Sequence, residues 1–205
     1  MALAVQDMRS VQAVTVVGVA TPVTPHRTAA RALVRNALRQ TLGVFLDQPA
    51  ASVALVSRPG EGITVDSPRV GLSLSLSHAP GLSIAALCRG ACVGVDVVRQ
   101  GNGIEDDPDW VRVAYDYLGP QATASLQAAS AAEVPAAFAQ AWTRFEAGLK
   151  CLGLAMTEWS PQLEEQLATC QIWALDFAEH PSGSLAAGGH FHGAVAVRTA
   201  GWCAQ

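Results

Sequence analysis

The sequence predicts an α+β protein in which small antiparallel sheets pack against helices. Two stretches, residues 26–42 and 135–152, repeat their apolar residues at helical spacing. Residues 72–98 instead alternate apolar and small or polar residues and are interrupted by turn sequences, as is typical of antiparallel strands. With 205 residues, of which 50% are hydrophobic, the chain can bury a substantial core. We therefore expect one compact unit or two closely packed halves.

The overall charge and the cysteines exclude several classes of protein. The chain has 13 lysine and arginine residues and 17 acidic residues, which gives a formal net charge of -4. Its basic residues do not form a run of the kind that would indicate a nucleic-acid partner. The first apolar run, residues 14–20, is too short for a secretory signal, and no stretch has the length of a membrane helix. Five cysteines without C-x-x-C spacing are typical of buried thiols in a reducing compartment. We expect a cytoplasmic protein that binds neither nucleic acid nor membranes.

The first predicted helix carries a regular series of arginines. A strand over residues 11–20 precedes this helix, for which Thr24 and Pro25 are a typical start and residues 26–42 the predicted extent. Arginines at four-residue intervals share one of its faces: Arg27, Arg31, Arg35 and Arg39. That face is either solvated or a contact surface for phosphate or an acidic partner.

The strands that follow predict a meander. After a plausible strand at residues 52–57, leucines and serines alternate from Leu72 to Ser77, which places the serines on one face. Turns separate this strand from two more, at residues 82–88 and 92–98, and we expect a three-stranded antiparallel sheet.

A segment rich in glycine, asparagine and acidic residues, residues 100–109, predicts the boundary between an N-terminal half, residues 1–100, and a C-terminal half, residues 101–205. Beyond it the pattern predicts helices at residues 110–118, 121–129 and 135–152, and strands at residues 171–177 and 190–197.

Asp96 stands in an apolar strand, where an unpaired carboxylate would cost several kcal/mol. Either nearby backbone N–H groups cap it, or it binds a hard cation such as Mg2+, which takes one or two carboxylates together with waters and phosphates.

Two charged residues share a stripe of the helix at residues 135–152. Trp142, Glu146 and Lys150 recur every four residues beside an apolar stripe that includes Phe145. Glu146 and Lys150 form either a surface ion pair or a functional pair, in which the carboxylate binds metal or takes a proton beside a phosphate-neutralising ammonium.

Ser77 and His78 close the first meander strand before a Pro-Gly turn and can both donate to phosphate oxygens. His190 and His192 lack a third ligand, so we predict no metal site there. The sequence contains no G-x-S-x-G elbow and no Walker or Rossmann glycine loop, which disfavours a hydrolase or an NAD enzyme.

Four separated segments together resemble the surfactin-type 4'-phosphopantetheinyl transferases. Residues 26–28, HRT, with LVR at 33–35, are similar to the family's N-terminal helix motif, and LSLSH at residues 74–78 is similar to its N-x-S-H-S strand end. VGVD at residues 93–96 resembles the Gly-Ile/Val-Asp metal motif. WTRFEAGLKCLG at residues 142–153 resembles W-x-x-K-E-x-x-x-K-x-x-G.

This resemblance implies an α+β fold of two similar halves related by an approximate two-fold, with coenzyme A in the cleft between them. It implies Mg2+ on Asp96 and Glu146, catalysis by Glu146 and Lys150, and coenzyme A contacts from Arg27, Thr28, Ser77 and His78. The implied reaction transfers 4'-phosphopantetheine from coenzyme A to a serine of an acyl, polyketide or peptidyl carrier protein. We expect a monomer.

The chain departs from the family pattern in three places. Val98 stands where a second acid is common, Phe145 stands where a lysine precedes the helix glutamate, and residues 61–68 hold no counterpart of a Gly-Lys-Pro lysine. The alternative is therefore a non-catalytic homologue that binds coenzyme A or a carrier protein.

Overall fold

Helix, sheet, sheet and helix are stacked in four layers at the centre of the protein. The structure, a computed structural model, describes residues 14–23, 27–57, 62–66, 71–101, 109–177 and 190–199. Predicted features at residues 11–13, 24–26, 58–61, 67–70, 102–108 and 178–189 lie outside the described residues.

The first sheet contains β1 (Val14–Ala20), β5 (Leu82–Arg89) and β4 (Leu72–Ala79) in the order β1-β5-β4, all antiparallel. Helix α1 (Arg27–Leu46) covers its outer face. Val34, Leu38 and Leu42 of α1 are fully buried against leucines and alanines of β4 and β5. The apolar stripe predicted from the sequence, which is Ala30, Leu33, Val34 and Ala37, therefore only partly matches the buried side of α1. Ala30 and Val34 are buried, but Leu33 is 43% exposed.

The part of the chain between α1 and β4 contains a small two-stranded antiparallel ribbon. It consists of a 3-10 turn (Ala50–Ser52) followed by β2 (Leu55–Val56) and β3 (Thr64–Val65), which pair with each other. The strand predicted at residues 52–57 is thus reduced to two residues.

The second sheet contains β6 (Cys92–Arg99), β8 (Phe191–Arg198) and β7 (Gln171–Leu175) in the order β6-β8-β7, again antiparallel. Helix α4 (Val134–Leu152) packs on its outer face. Gly94 makes this packing possible, because a Cβ there would collide with the Ala147 carbonyl oxygen and with the backbone of Cys151. The inner faces of the two sheets share one apolar core, to which the valines of β6 and β8 contribute.

The predicted meander is wrong in its third strand. β6 follows β5 directly in the chain, yet it pairs with β8, with Asp96 opposite Ala194. Its true partner lies about a hundred residues further along the chain, and the alternation pattern cannot identify it.

β6 instead lies alongside β4, and serine side chains join the two strands. The hydroxyl oxygens of Ser73, Ser75 and Ser77 accept hydrogen bonds from the backbone N–H groups of Val93, Val95 and Val97, at 3.0, 3.0 and 3.3 Å. Because a buried N–H without a partner is costly, these serines satisfy the edge of β6 that faces the first sheet. The serine face predicted for residues 72–77 therefore lies between the sheets and not in solvent.

Shorter helices complete the described part of the C-terminal region. They are α2 (Trp110–Val113), a π-helical turn (Ala114–Leu118), α3 (Gly119–Ala128) and α5 (Pro161–Leu167). No helix among the described residues is long and apolar enough to span a membrane. The mixture of helices and small antiparallel sheets confirms the predicted fold class. The approximate two-fold and the division at residue 100 stay predictions, and β6, which precedes that division, belongs to the sheet of β7 and β8.

The cysteines only partly match the prediction of free thiols. Cys88, Cys151 and Cys170 are free and buried, but Cys92 is disulfide-bonded, so the prediction is wrong for that residue. Cys203 lies outside the described residues.

Candidate functional site

Asp96 lies in the middle of β6 with only 3% of its surface exposed. Its Oδ1 atom accepts hydrogen bonds from the Ser77 hydroxyl at 2.7 Å and from the Lys150 ammonium at 2.6 Å. Its Oδ2 atom is buried and has no hydrogen-bond partner among the described residues. A buried acceptor of this kind needs a partner, which a ligand, an ion or a water molecule can supply.

The alternation of β6 determines where this carboxylate lies. The valines on either side of Asp96 face the core between the sheets, while Cys92 packs on the opposite side with α4. Gly94 allows α4 to approach β6 closely. Lys150 of α4 is thereby brought onto a carboxylate 54 residues earlier in the chain.

The second carboxylate, Glu146, is held from both sides along α4. Its Oε1 atom accepts a hydrogen bond from the indole N–H of Trp142 at 2.8 Å. Its Oε2 atom lies 3.4 Å from Lys150 Nζ, and the side chains of Glu146 and Lys150 are 23% and 32% exposed. Glu146 and Lys150 therefore form the predicted ion pair along the helix, and the same ammonium also contacts the buried Asp96.

Burial raises the pKa of Asp96 to about 6. The positive charge of Lys150 opposes this shift, the negative charge of Glu146 adds to it, and the hydrogen bonds from Lys150 and Ser77 oppose it. The carboxylate is therefore ionised at neutral pH at a free-energy cost that a bound cation would offset.

The two carboxylates fit a hard divalent cation. Asp96 Oδ2 is unbonded, Glu146 lies within reach of the same ammonium, and Mg2+ needs only one or two carboxylates when waters and phosphates complete its shell. The described residues contain no group of three His, Cys, Asp or Glu side chains that could hold a metal without such help. The hydrogen-bond partners of Asp96 in the described ranges are side chains, so the structure shows no backbone capping there, which was the alternative considered above.

Ser77 and His78 point to opposite faces of β4. Ser77 is buried, donates to Asp96 and accepts from Val97 N–H. His78 is half-buried, and its Nδ1 atom lies 2.8 Å from the Ser83 hydroxyl. The hydrogen bond from Ser77 to Asp96 was missed by the sequence reasoning, which gave Ser77 a phosphate contact.

Arg27 and Thr28 begin α1. Ala20 of β1 pairs with Leu82, which pairs with Ala79, so β1 ends at the same end of the first sheet as His78. Thr28 is exposed, and the side chain of Arg27 lies outside the described residues. No bound ligand tests their predicted contacts.

Phe145 is 7% exposed and packs with Leu149 and Leu163, which confirms its place in the apolar stripe. Its ring also contacts Tyr117 and Trp142. The residue at this position therefore points away from Asp96. Trp142 as a hydrogen-bond donor to Glu146 was also missed, although its four-residue spacing from Glu146 was visible in the sequence.

Residues 92–191 match the family model of the 4'-phosphopantetheinyl transferase superfamily. This match confirms the predicted resemblance to the superfamily for residues 92–191, just under half of the chain. The match contains Asp96, Glu146 and Lys150 and excludes the four predicted coenzyme A contacts, and the surfactin type stays a prediction. No curated protein matches the sequence.

Proposed function

We propose that the protein transfers the 4'-phosphopantetheine arm of coenzyme A to a serine of a carrier protein. One observation carries this proposal. A buried carboxylate with an unbonded oxygen, Asp96, is linked through Lys150 to Glu146 within the segment that matches the superfamily. Such an arrangement can hold a divalent cation against a pyrophosphate.

Asp96 and Glu146 would hold Mg2+, which when bound neutralises charge on the pyrophosphate oxygens. In the reaction the serine oxygen forms a bond to the phosphorus next to pantetheine, and the bond from that phosphorus to the bridging pyrophosphate oxygen breaks. Glu146 accepts the serine proton. Lys150 neutralises charge on the departing 3',5'-ADP.

The proposed nucleotide contacts come from the N-terminal sheet and α1. Arg27 and Thr28 at the start of α1 and His78 near the end of β4 are proposed for this role because they carry groups that bind phosphate. Ser77 has a single hydroxyl proton, which Asp96 accepts in this structure. Ser77 must therefore break its hydrogen bond to Asp96 before its hydroxyl can donate to a phosphate.

The acceptor is proposed to be an acyl, polyketide or peptidyl carrier protein in the cytoplasm, and the enzyme is proposed to act as a monomer. An alternative is a homologue that binds coenzyme A or a carrier protein without transfer. The burial of Phe145 favours this alternative, because the family pattern has a lysine at this position and Phe145 packs in an apolar cluster instead.

The decisive experiment is intact-mass measurement of a purified apo carrier protein after incubation with the protein, coenzyme A and Mg2+. We expect the mass to rise by one phosphopantetheine group, and we expect no rise with Glu146→Gln. Coenzyme A binding without any mass change would support the non-catalytic alternative. If the protein neither transfers nor binds, both proposals are wrong.

A further inference from the structure

Lys150 is the single lysine of the 205-residue chain, and every other residue counted with it as basic is an arginine. It lies in the last turn of α4, and its ammonium contacts both carboxylates of the site. Its side chain is about one-third exposed, so its tip has access to solvent.

The ammonium is placed as a counter-ion to both acids. Lys150 Nζ is 2.6 Å from Asp96 Oδ1 and 3.4 Å from Glu146 Oε2. No other cationic side chain among the described residues forms an ion pair with either acid. Without this lysine, Asp96 would be a buried charge to which, within the described part of the chain, only the Ser77 hydroxyl donates a hydrogen bond.

A divalent cation bound to the same carboxylates would compete with the ammonium. Two positive charges a few Å apart repel each other strongly where water is largely excluded. Asp96 is nearly fully buried, and the lysine is attached through a flexible four-carbon chain. Of the two cations, Lys150 can therefore move toward solvent and the ligand, while Asp96 stays in its strand.

We propose that Lys150 has two positions, one between Asp96 and Glu146 in the metal-free protein and one away from Asp96 when a divalent cation binds those acids. The inference rests on the proposed function for the identity of the ligands, Mg2+ and an anionic pyrophosphate. In the second position the ammonium is free to neutralise that anion. Metal binding and pyrophosphate binding therefore favour each other through this one side chain.

A protein grown with isotopically labelled lysine tests this directly, because its single lysine contributes one side-chain amine signal in NMR. MgCl2 is titrated into the protein without coenzyme A, against NaCl at equal ionic strength, while calorimetry follows metal binding. We expect the signal to shift saturably with the same midpoint as metal binding, and to shift again when inorganic pyrophosphate is added. Bound metal with an unchanged amine signal, or no metal binding at all, would overturn the proposal.

The variant Lys150→Gln distinguishes a lysine that competes with the metal ion from a lysine that only supports the metal site. Lys150→Gln, checked for folding by circular dichroism, should bind Mg2+ about tenfold more tightly in the absence of anion, because the competing charge is gone. It should also lose part of the additional affinity for Mg2+ that pyrophosphate confers on the parent, and direct attraction between Mg2+ and pyrophosphate accounts for the part that remains. Weaker Mg2+ binding by the folded variant would show that Lys150 supports the metal site, which contradicts the proposal.

These measurements use neither a carrier protein nor the transfer reaction. A protein that exchanges Lys150 for metal without transferring phosphopantetheine would disprove the proposed function alone. If the protein is active but its lysine NMR signal does not change when metal binds, this inference alone would be disproved.

Discussion

At the scale of single residues, the site is organised by hydrogen bonds that hold each carboxylate in one orientation. Ser77 and Lys150 share Asp96 Oδ1, and Trp142 and Lys150 hold the two oxygens of Glu146. Asp96 Oδ2 is the buried oxygen left for a ligand. These contacts make the free energy of unfolding, as well as activity, sensitive to individual side chains.

The raised pKa of Asp96 predicts a pH dependence of stability in the metal-free protein. The folded state holds this proton more tightly than the unfolded chain, so the stabilisation is complete below the ordinary pKa of 3.8 and is lost as pH rises through about 6. The loss is on the order of 3 kcal/mol.

Urea unfolding of the parent and of Asp96→Asn, in chelator, across this pH range measures the effect. The difference between the two proteins isolates Asp96 from other titrating groups, among which Glu146 and Lys150 face it directly. If the free energies of unfolding of the two proteins changed in parallel with pH, Asp96 would not be the source of the pH dependence.

Trp142→Phe should lower transfer activity more than stability. The phenylalanine keeps an aromatic ring beside Phe138 and Tyr117 but removes the N–H that orients Glu146. Loss of a hydrogen bond to a charged group is worth about 1.5 to 3 kcal/mol, so we expect kcat to fall about tenfold or more with coenzyme A affinity unchanged.

Trp110→Phe is the matched control for that change. Trp110 belongs to the same aromatic cluster, and its indole N–H has no hydrogen-bond partner among the described residues. Equal losses of kcat in the two variants would mean that packing, and not the orientation of Glu146, explains the effect.

Phe145→Lys restores the residue type of the family pattern but places it in a core. The ring packs against Leu149, Leu163 and Tyr117, so its replacement should lower stability by about 3 kcal/mol or more. We expect coenzyme A affinity of the folded variant to be unchanged, measured by calorimetric titration beside thermal unfolding. Clearly tighter binding would show that the lysine reaches the ligand by extending out of the core.

At the scale of secondary-structure elements, the serines of β4 replace the backbone ladder that would normally satisfy a neighbouring strand. Each hydroxyl accepts one N–H of β6, so β4 and β6 are joined although they belong to different sheets. This contact also positions Ser77 against Asp96.

Ser75→Ala should destabilise the protein by about 1 to 3 kcal/mol, because the buried N–H of Val95 loses its acceptor. Chemical denaturation measures the change. Ser125→Ala is a suitable control, since Ser125 is an exposed helix residue that bonds only to the Gln121 carbonyl oxygen, and we expect a change within about 0.5 kcal/mol. A cost for Ser75→Ala as small as that of the control would mean that water replaces the hydroxyl.

At the scale of the whole molecule, the two sheets depend on each other. The core between them includes Val16 and Ile84 from one sheet and Val95 and Val195 from the other. β6, which carries Asp96, pairs with β8 and lies against β4, so Asp96 is positioned by parts of the chain about a hundred residues apart.

A fragment of residues 1–100 should therefore not fold by itself. It contains β6 but lacks β8 and α4, so the backbone of β6 and the inner face of the first sheet would be exposed to water. Circular dichroism and amide exchange of the fragment, alone and mixed with residues 101–205, test this. A cooperatively folded fragment would show that the N-terminal half is an independent domain.

The sequence by itself determined the fold class, α1, α4, the principal strands and the identities of the paired acids and lysine. These follow from periodicity and from residue types whose burial needs a partner, as with Asp96 in an apolar strand, and both are local properties. Only the tertiary structure shows that β6 pairs with β8 and not with β5, that Ser77 donates a hydrogen bond to Asp96, and that Lys150 contacts both Asp96 and Glu146. The pairing of β6 with β8 and the contacts of Asp96 with Ser77 and Lys150 join different elements of the chain. Alternation reveals which face of a strand is buried but not which distant strand or helix covers it.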